Sequence, residues 1–130
     1  MTKILILLAL LLPTFAYAAE YMPFPKANIT PEQWDTYYQE IKADYGNSEQ
    51  LHSKYNLVTF NDPQTRMNFA FTTKGHPAHP SWITRQVVEK DNRVSMQQVG
   101  YFAGDEKAFA ILFKQYAKLA EQVKKEFSEN

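Results

Sequence analysis

His76 and His79 are the residues whose type and spacing most directly suggest chemistry. They lie three positions apart in Gly75-His76-Pro77-Ala78-His79-Pro80, each followed by a proline. Imidazole is the usual acid–base group near neutral pH and the commonest metal ligand. The prolines stiffen the loop and lower the entropy cost of holding the rings in place. A metal site needs three or four ligands. The chain has no cysteine, so His52 and the carboxylates of Asp62 or Asp105 would have to complete such a set. Neither His-Glu-x-x-His nor a Gly-x-Ser-x-Gly elbow is present, and Ser81 is only a sequence neighbour of His79. The loop therefore reads first as a recognition element. A small metal-binding protein or hydrolase using His76 and His79 is the alternative. No catalytic residue is assigned and no cofactor is called for.

Arg85 is the second candidate. It sits in Ser81 to Lys90, a strand-like run followed by Asp91-Asn92 and a second run, Arg93 to Phe102. A two-residue turn that tolerates positive φ fixes the hairpin register. Lys90 then faces Arg93, Val87 faces Met96, Arg85 faces Gln98 and Ile83 faces Gly100. One face of the hairpin carries Ile83, Arg85, Val87, Val94, Met96, Gln98 and Phe102. This face is expected to meet the helices, which would bury Arg85 beside Gln98. A buried arginine needs a partner. Asp35, Glu40 or Asp44 could supply it as a structural ion pair, or Arg85 lies near the sheet edge and snorkels to water; the functional alternative is that it lines a pocket for an anionic group. The other face carries Trp82, Thr84, Gln86, Val88, Ser95, Gln97, Val99 and Tyr101 and is expected to be solvated. Trp82 and Tyr101 would then form a contact surface with the histidine loop.

The elements that must position these residues are legible in outline. Thr30-Pro31-Glu32-Gln33 combines an N-cap, a proline at the first helical position and a capping box. Trp34, Tyr37, Tyr38, Ile41 and Tyr45 follow on one face, and the spacing predicts a helix over 31–45, stopping at Gly46. Residues 47–56 read as loop or a short helical turn. Leu57 to Phe60 reads as a strand, Asn61-Asp62-Pro63 as a turn, and 66–73 as a second strand. Asp105 caps a last helix whose apolar residues, from Phe109 to Phe127, recur at three and four. The predicted fold is α+β, an antiparallel meander of three to four strands packed on an N-terminal and a C-terminal helix, both on one face.

The start of the chain carries an address. Lys3, the apolar run Ile4 to Leu12, Pro13 and Ala16-Tyr17-Ala18 have the three-part form of a secretory signal, with cleavage after Ala18. The run is too short to span a bilayer, so no stable membrane anchor is expected after cleavage. Residues 19–130 are then one domain. With 14 Lys and Arg against 14 Asp and Glu, and Lys3 lost with the leader, the balance is near neutral. Nucleic acid is not expected as a partner. Without cysteine the fold must rest on packing, for which the chain's two Trp, eight Tyr and nine Phe are available, all but Phe15 and Tyr17 of them beyond the leader.

The run Phe71 to Pro80, with Arg85-Gln86-Val87-Val88 and Gly100-Tyr101-Phe102-Ala103-Gly104-Asp105, resembles small exported proteobacterial proteins of unassigned function that carry a Gly-His-Pro-x-His-Pro loop. The resemblance covers roughly residues 66–115 and implies a Gram-negative envelope location, with no catalytic residue attached. Together these readings point to a periplasmic or secreted, non-enzymatic binding module. Its expected partner is another envelope component, as for an inhibitor or immunity-type protein, or a small ligand. The binding candidates are His76, His79, Trp82, Arg85, Gln98 and Tyr101. A small-molecule pocket around Arg85 is the third reading.

Overall fold

Thr30 starts the first helix as its sequence requires. Its hydroxyl accepts from the Gln33 N–H at 3.1 Å, and the Gln33 side chain accepts from the Thr30 N–H at 2.9 Å, closing the capping box. The helix, α1, is Pro31–Tyr45. Gly46 does not take a left-handed conformation; the chain tightens there into a 3-10 turn over Gly46–Ser48. The protein is seen in a computed structural model that describes residues 19–129, so the leader at 1–18 lies outside the described residues.

Five strands follow: β1 (Gln50–His52), β2 (Leu57–Asp62), β3 (Met67–Thr72), β4 (Ser81–Lys90) and β5 (Arg93–Phe102). They form one antiparallel sheet in chain order. The last helix, α2, is Glu106–Glu129, and the Asp105 carboxylate accepts from the Ala108 N–H at 2.9 Å. No helix among the described residues is long and apolar enough to cross a membrane. The α+β class and the antiparallel meander hold, with one strand more than the sequence suggested. The extra strand is β1, three residues between 3-10 turns, with an exposed Leu51.

The β4–β5 register is the predicted one, from Lys90 opposite Arg93 through Arg85 opposite Gln98 to Ile83 opposite Gly100. Asp91 and Asn92 both have positive φ, 54° and 62°, as a two-residue turn of primed type needs. The placement of the helices differs from expectation, because they lie on opposite faces of the sheet. Trp82, Tyr101, Phe71, Phe69, Phe60 and Val58 point to α1 and form the main core. Trp82 stacks on Tyr37 with ring centroids 4.5 Å apart. Ile83 points the other way and packs with Ala78, Phe109 and Leu112 under α2. The face expected to be solvated is therefore the better buried. Trp82 is 0% exposed and Tyr101 2%, so neither contributes to a contact surface.

Residues 19–29 complete the aromatic core. The Tyr101 hydroxyl donates to the Phe24 carbonyl and the Tyr37 hydroxyl to the Glu20 carbonyl, both at 2.9 Å. Ile29 N–H donates to Phe102 O, and Phe102 N–H to Ala27 O, each at 2.9 Å, as a short parallel bridge on the outer edge of β5.

Asp62, buried at the end of β2, anchors the β2–β3 turn. It accepts from the Gln64 N–H at 3.0 Å, the Thr65 hydroxyl at 2.6 Å and the Tyr45 hydroxyl at 3.1 Å. Burial works to raise its pKa, but these hydrogen bonds together hold the carboxyl below its ordinary 3.8. Asp62→Asn is expected to lose about 1–2 kcal/mol at neutral pH, measured by urea unfolding. A carboxyl depressed in the fold contributes above its unfolded value, and that contribution disappears as the pH falls through the folded one. The gap between wild type and variant should therefore close in acid.

Candidate functional site

Arg85 does not point at α1, so Asp35, Glu40 and Asp44 cannot pair with it. Alternation along β4 sends it to the opposite face, under α2. There its guanidinium lies over the Tyr116 ring, 4.8 Å from the centroid, and Nη2 donates to Asn68 Oδ1 at 3.2 Å. Its Nε is buried without an acceptor among the described residues. Burial lowers its pKa, and Tyr116 acts in the opposite sense. An arginine stays charged under such a shift. No acidic side chain among the described residues forms an ion pair with it.

This arginine opens onto a cleft of about 500 Å³ between α2 and the β1–β3 half of the sheet. The cleft exists because α2 sits over β5. Gly100 brings the helix close, with Phe109 and Phe113 directly above it, and Gln98 Nε2 donates to the Phe113 carbonyl at 2.9 Å. Strands β1 to β3, the half of the sheet away from β5, are left without a helix directly over them on this face. Polar walls come from Gln50, His52, Thr59, Asn61 and Asn68 on the sheet and Gln115 on the helix. Asn68 Nδ2 donates to Asn61 Oδ1 at 2.8 Å, and His52 Nε2 lies 3.0 Å from the Thr59 hydroxyl. Leu57, Leu112, Leu119 and the rings of Tyr55 and Tyr116 supply the apolar surface. Among the described residues, no aspartate or glutamate lines the cleft. An unneutralised guanidinium in a half-apolar cleft favours an anion, most of all one with an apolar body.

The two histidines go separate ways. His76 lines the cleft, and its Nδ1 accepts from the Ala78 N–H at 2.9 Å, capping its own loop. The His79 ring stands edge-on to Trp34, with centroids 5.1 Å apart, and its Nδ1 lies 2.8 Å from the Thr72 hydroxyl. Burial pushes both below 6.5, so both rings are neutral at pH 7. Among the described residues no three histidines or carboxylates gather to hold a metal ion, and Asp62 is committed to its turn and Tyr45. The set proposed from His52, His76, His79, Asp62 and Asp105 is not assembled.

Of the six sequence candidates, Arg85 and His76 line one cleft. Gln98 is the cross-strand neighbour of Arg85 and ties the sheet to α2, with its Oε1 buried and without a partner among the described residues. His79 is structural in its contacts, and Trp82 and Tyr101 belong to the core. Asn61, Asn68 and Tyr116, which complete the surroundings of Arg85, carried no local signal in the sequence. Their only mark is register, since Asn68 faces Asn61 across β2–β3 and Arg85 across β3–β4. No family model, curated protein or solved structure matches this chain.

Proposed function

We propose that the protein is an exported binding module of the Gram-negative envelope whose ligand is a small amphipathic anion held against Arg85. The leader-like residues 1–18 support export. One observation carries the binding reading: a guanidinium without a carboxylate partner among the described residues opens onto a partly apolar cleft with no acidic side chain among its described lining. A structural arginine at such a site would be expected to have a carboxylate beside it. The neighbouring amides and hydroxyls suit orientation of a ligand, which supports a reading of binding.

The test uses three eight-carbon probes that differ in head charge, titrated into the purified protein by calorimetry. Octanoate is expected to bind with one-to-one stoichiometry, whereas octanol and octylammonium bind at least about tenfold more weakly. Arg85→Gln is expected to remove the preference for the anion and to leave the thermal melt within about 1 kcal/mol of wild type, since only a stacking contact and one neutral acceptor are lost. Equal binding of the three probes, or full octanoate affinity in Arg85→Gln, would overturn the reading.

A further inference from the structure

Resting on that reading, we infer that the ligand is a monocarboxylate with an extended apolar tail, its head at Arg85 and its tail running along β2 toward Leu57. The head group follows from charge and shape. Asn61, Asn68 and Arg85 stand side by side on β2, β3 and β4. Among the described residues lining the cleft, Arg85 is the one arginine and there is no lysine, aspartate or glutamate. Lys54 belongs to the opposite end, over the Tyr55 ring at 5.6 Å. The Tyr116 ring lies 4.8 Å from the guanidinium carbon, and the N–H donors that an anion would use lie along the guanidinium edge. A carboxylate matches such an edge in plane and in charge. A phosphate monoester carries close to two charges at neutral pH, and the second would be left uncompensated in a partly apolar cleft.

The direction of the tail follows from the strand. Leu57, Thr59 and Asn61 lie on one face of β2, so Leu57 is about 13 Å from the Asn61 row. Leu112 of α2 and Tyr55 flank the same path. In the opposite direction β2 ends at Asp62, whose carboxylate is bound to its own turn.

The probes are butanoate, hexanoate, octanoate and octyl phosphate, titrated by calorimetry at neutral pH into wild type and Leu57→Asn. In wild type each added methylene is expected to tighten binding about fourfold while it remains inside the cleft. Octanoate is expected to bind about tenfold more tightly than octyl phosphate. In Leu57→Asn the gain from hexanoate to octanoate should vanish while butanoate is unaffected, with an unchanged melt showing that the fold survives. If that variant does not fold, Leu57→Met provides the same comparison with a smaller loss. Octyl phosphate binding as tightly as octanoate would overturn the carboxylate assignment and leave the anion site standing. A chain-length gain that is indifferent to residue 57 would overturn the path of the tail. Binding of no anion at all would overturn both this inference and the reading on which it rests.

Discussion

Trp82→Ala is expected to lower the free energy of unfolding by about 3–5 kcal/mol, a large part of the stability of a domain of this size. The indole is fully buried at the centre of the aromatic core. It stacks on Tyr37 at 4.5 Å, lies 4.8 Å from Tyr101 and 5.5 Å from Phe71, and meets the edge of Phe24 at 6.2 Å. These neighbours come from α1, β3, β5 and the N-terminal segment, so no single element can collapse to fill the space. Trp82→Phe should lose much less. It keeps an aromatic ring and strands no partner, because Trp82 Nε1 has none among the described residues. Urea unfolding followed by far-ultraviolet circular dichroism measures both. A loss below about 1 kcal/mol for the alanine variant would place Trp82 at the surface after all.

Gly100→Ala is expected to cost about 1–3 kcal/mol by overpacking. A Cβ at this position would lie 2.5 Å from Phe109 Cζ and 3.0 Å from Phe113 Cδ2. Phe109 cannot swing freely, since its ring is stacked on Phe102 at 5.0 Å and it is itself buried. The strain must be relieved by lifting α2, which also carries Tyr116 over Arg85. Octanoate affinity should therefore fall several-fold along with stability, although residue 100 does not line the cleft. Combining Gly100→Ala with Phe109→Leu should recover part of both losses, and a double-mutant cycle reads the coupling. Additive effects of the two changes would show that the glycine is not there for close approach.

The parts of the molecule legible in the sequence are those fixed by local chemistry. The capping box at Thr30 and Gln33, the cap at Asp105 and the Asp91-Asn92 turn each act within a few residues, and the structure has them where the sequence places them. The turn alone determined ten cross-strand pairs. What failed was the choice of face. Trp82, Thr84, Val99 and Tyr101 on one side and Ile83, Arg85, Gln98 and Phe102 on the other each mix apolar and polar groups, because both sides are covered, one by each helix. An alternation rule presumes one wet face. Strand β1 escaped notice because its three residues include an exposed leucine and a histidine, and pairing with β2 alone makes it a strand. Arg85 stood out as a charge among apolar neighbours. The cleft did not, since it arises from where a helix lies on a sheet and from no run of residues.

The bonds of the N-terminal segment to β5 also set an order of events. Phe24 is 77 positions from the tyrosine whose hydroxyl it accepts, and Ala27 and Ile29 meet backbone partners only at Phe102. A chain delivered N-terminus first, from a ribosome or through a membrane pore, must carry residues 19–29 without these partners until the last strand has emerged. The first part of the chain to emerge is thus among the last to dock, and closure of the aromatic core becomes a late, long-range step.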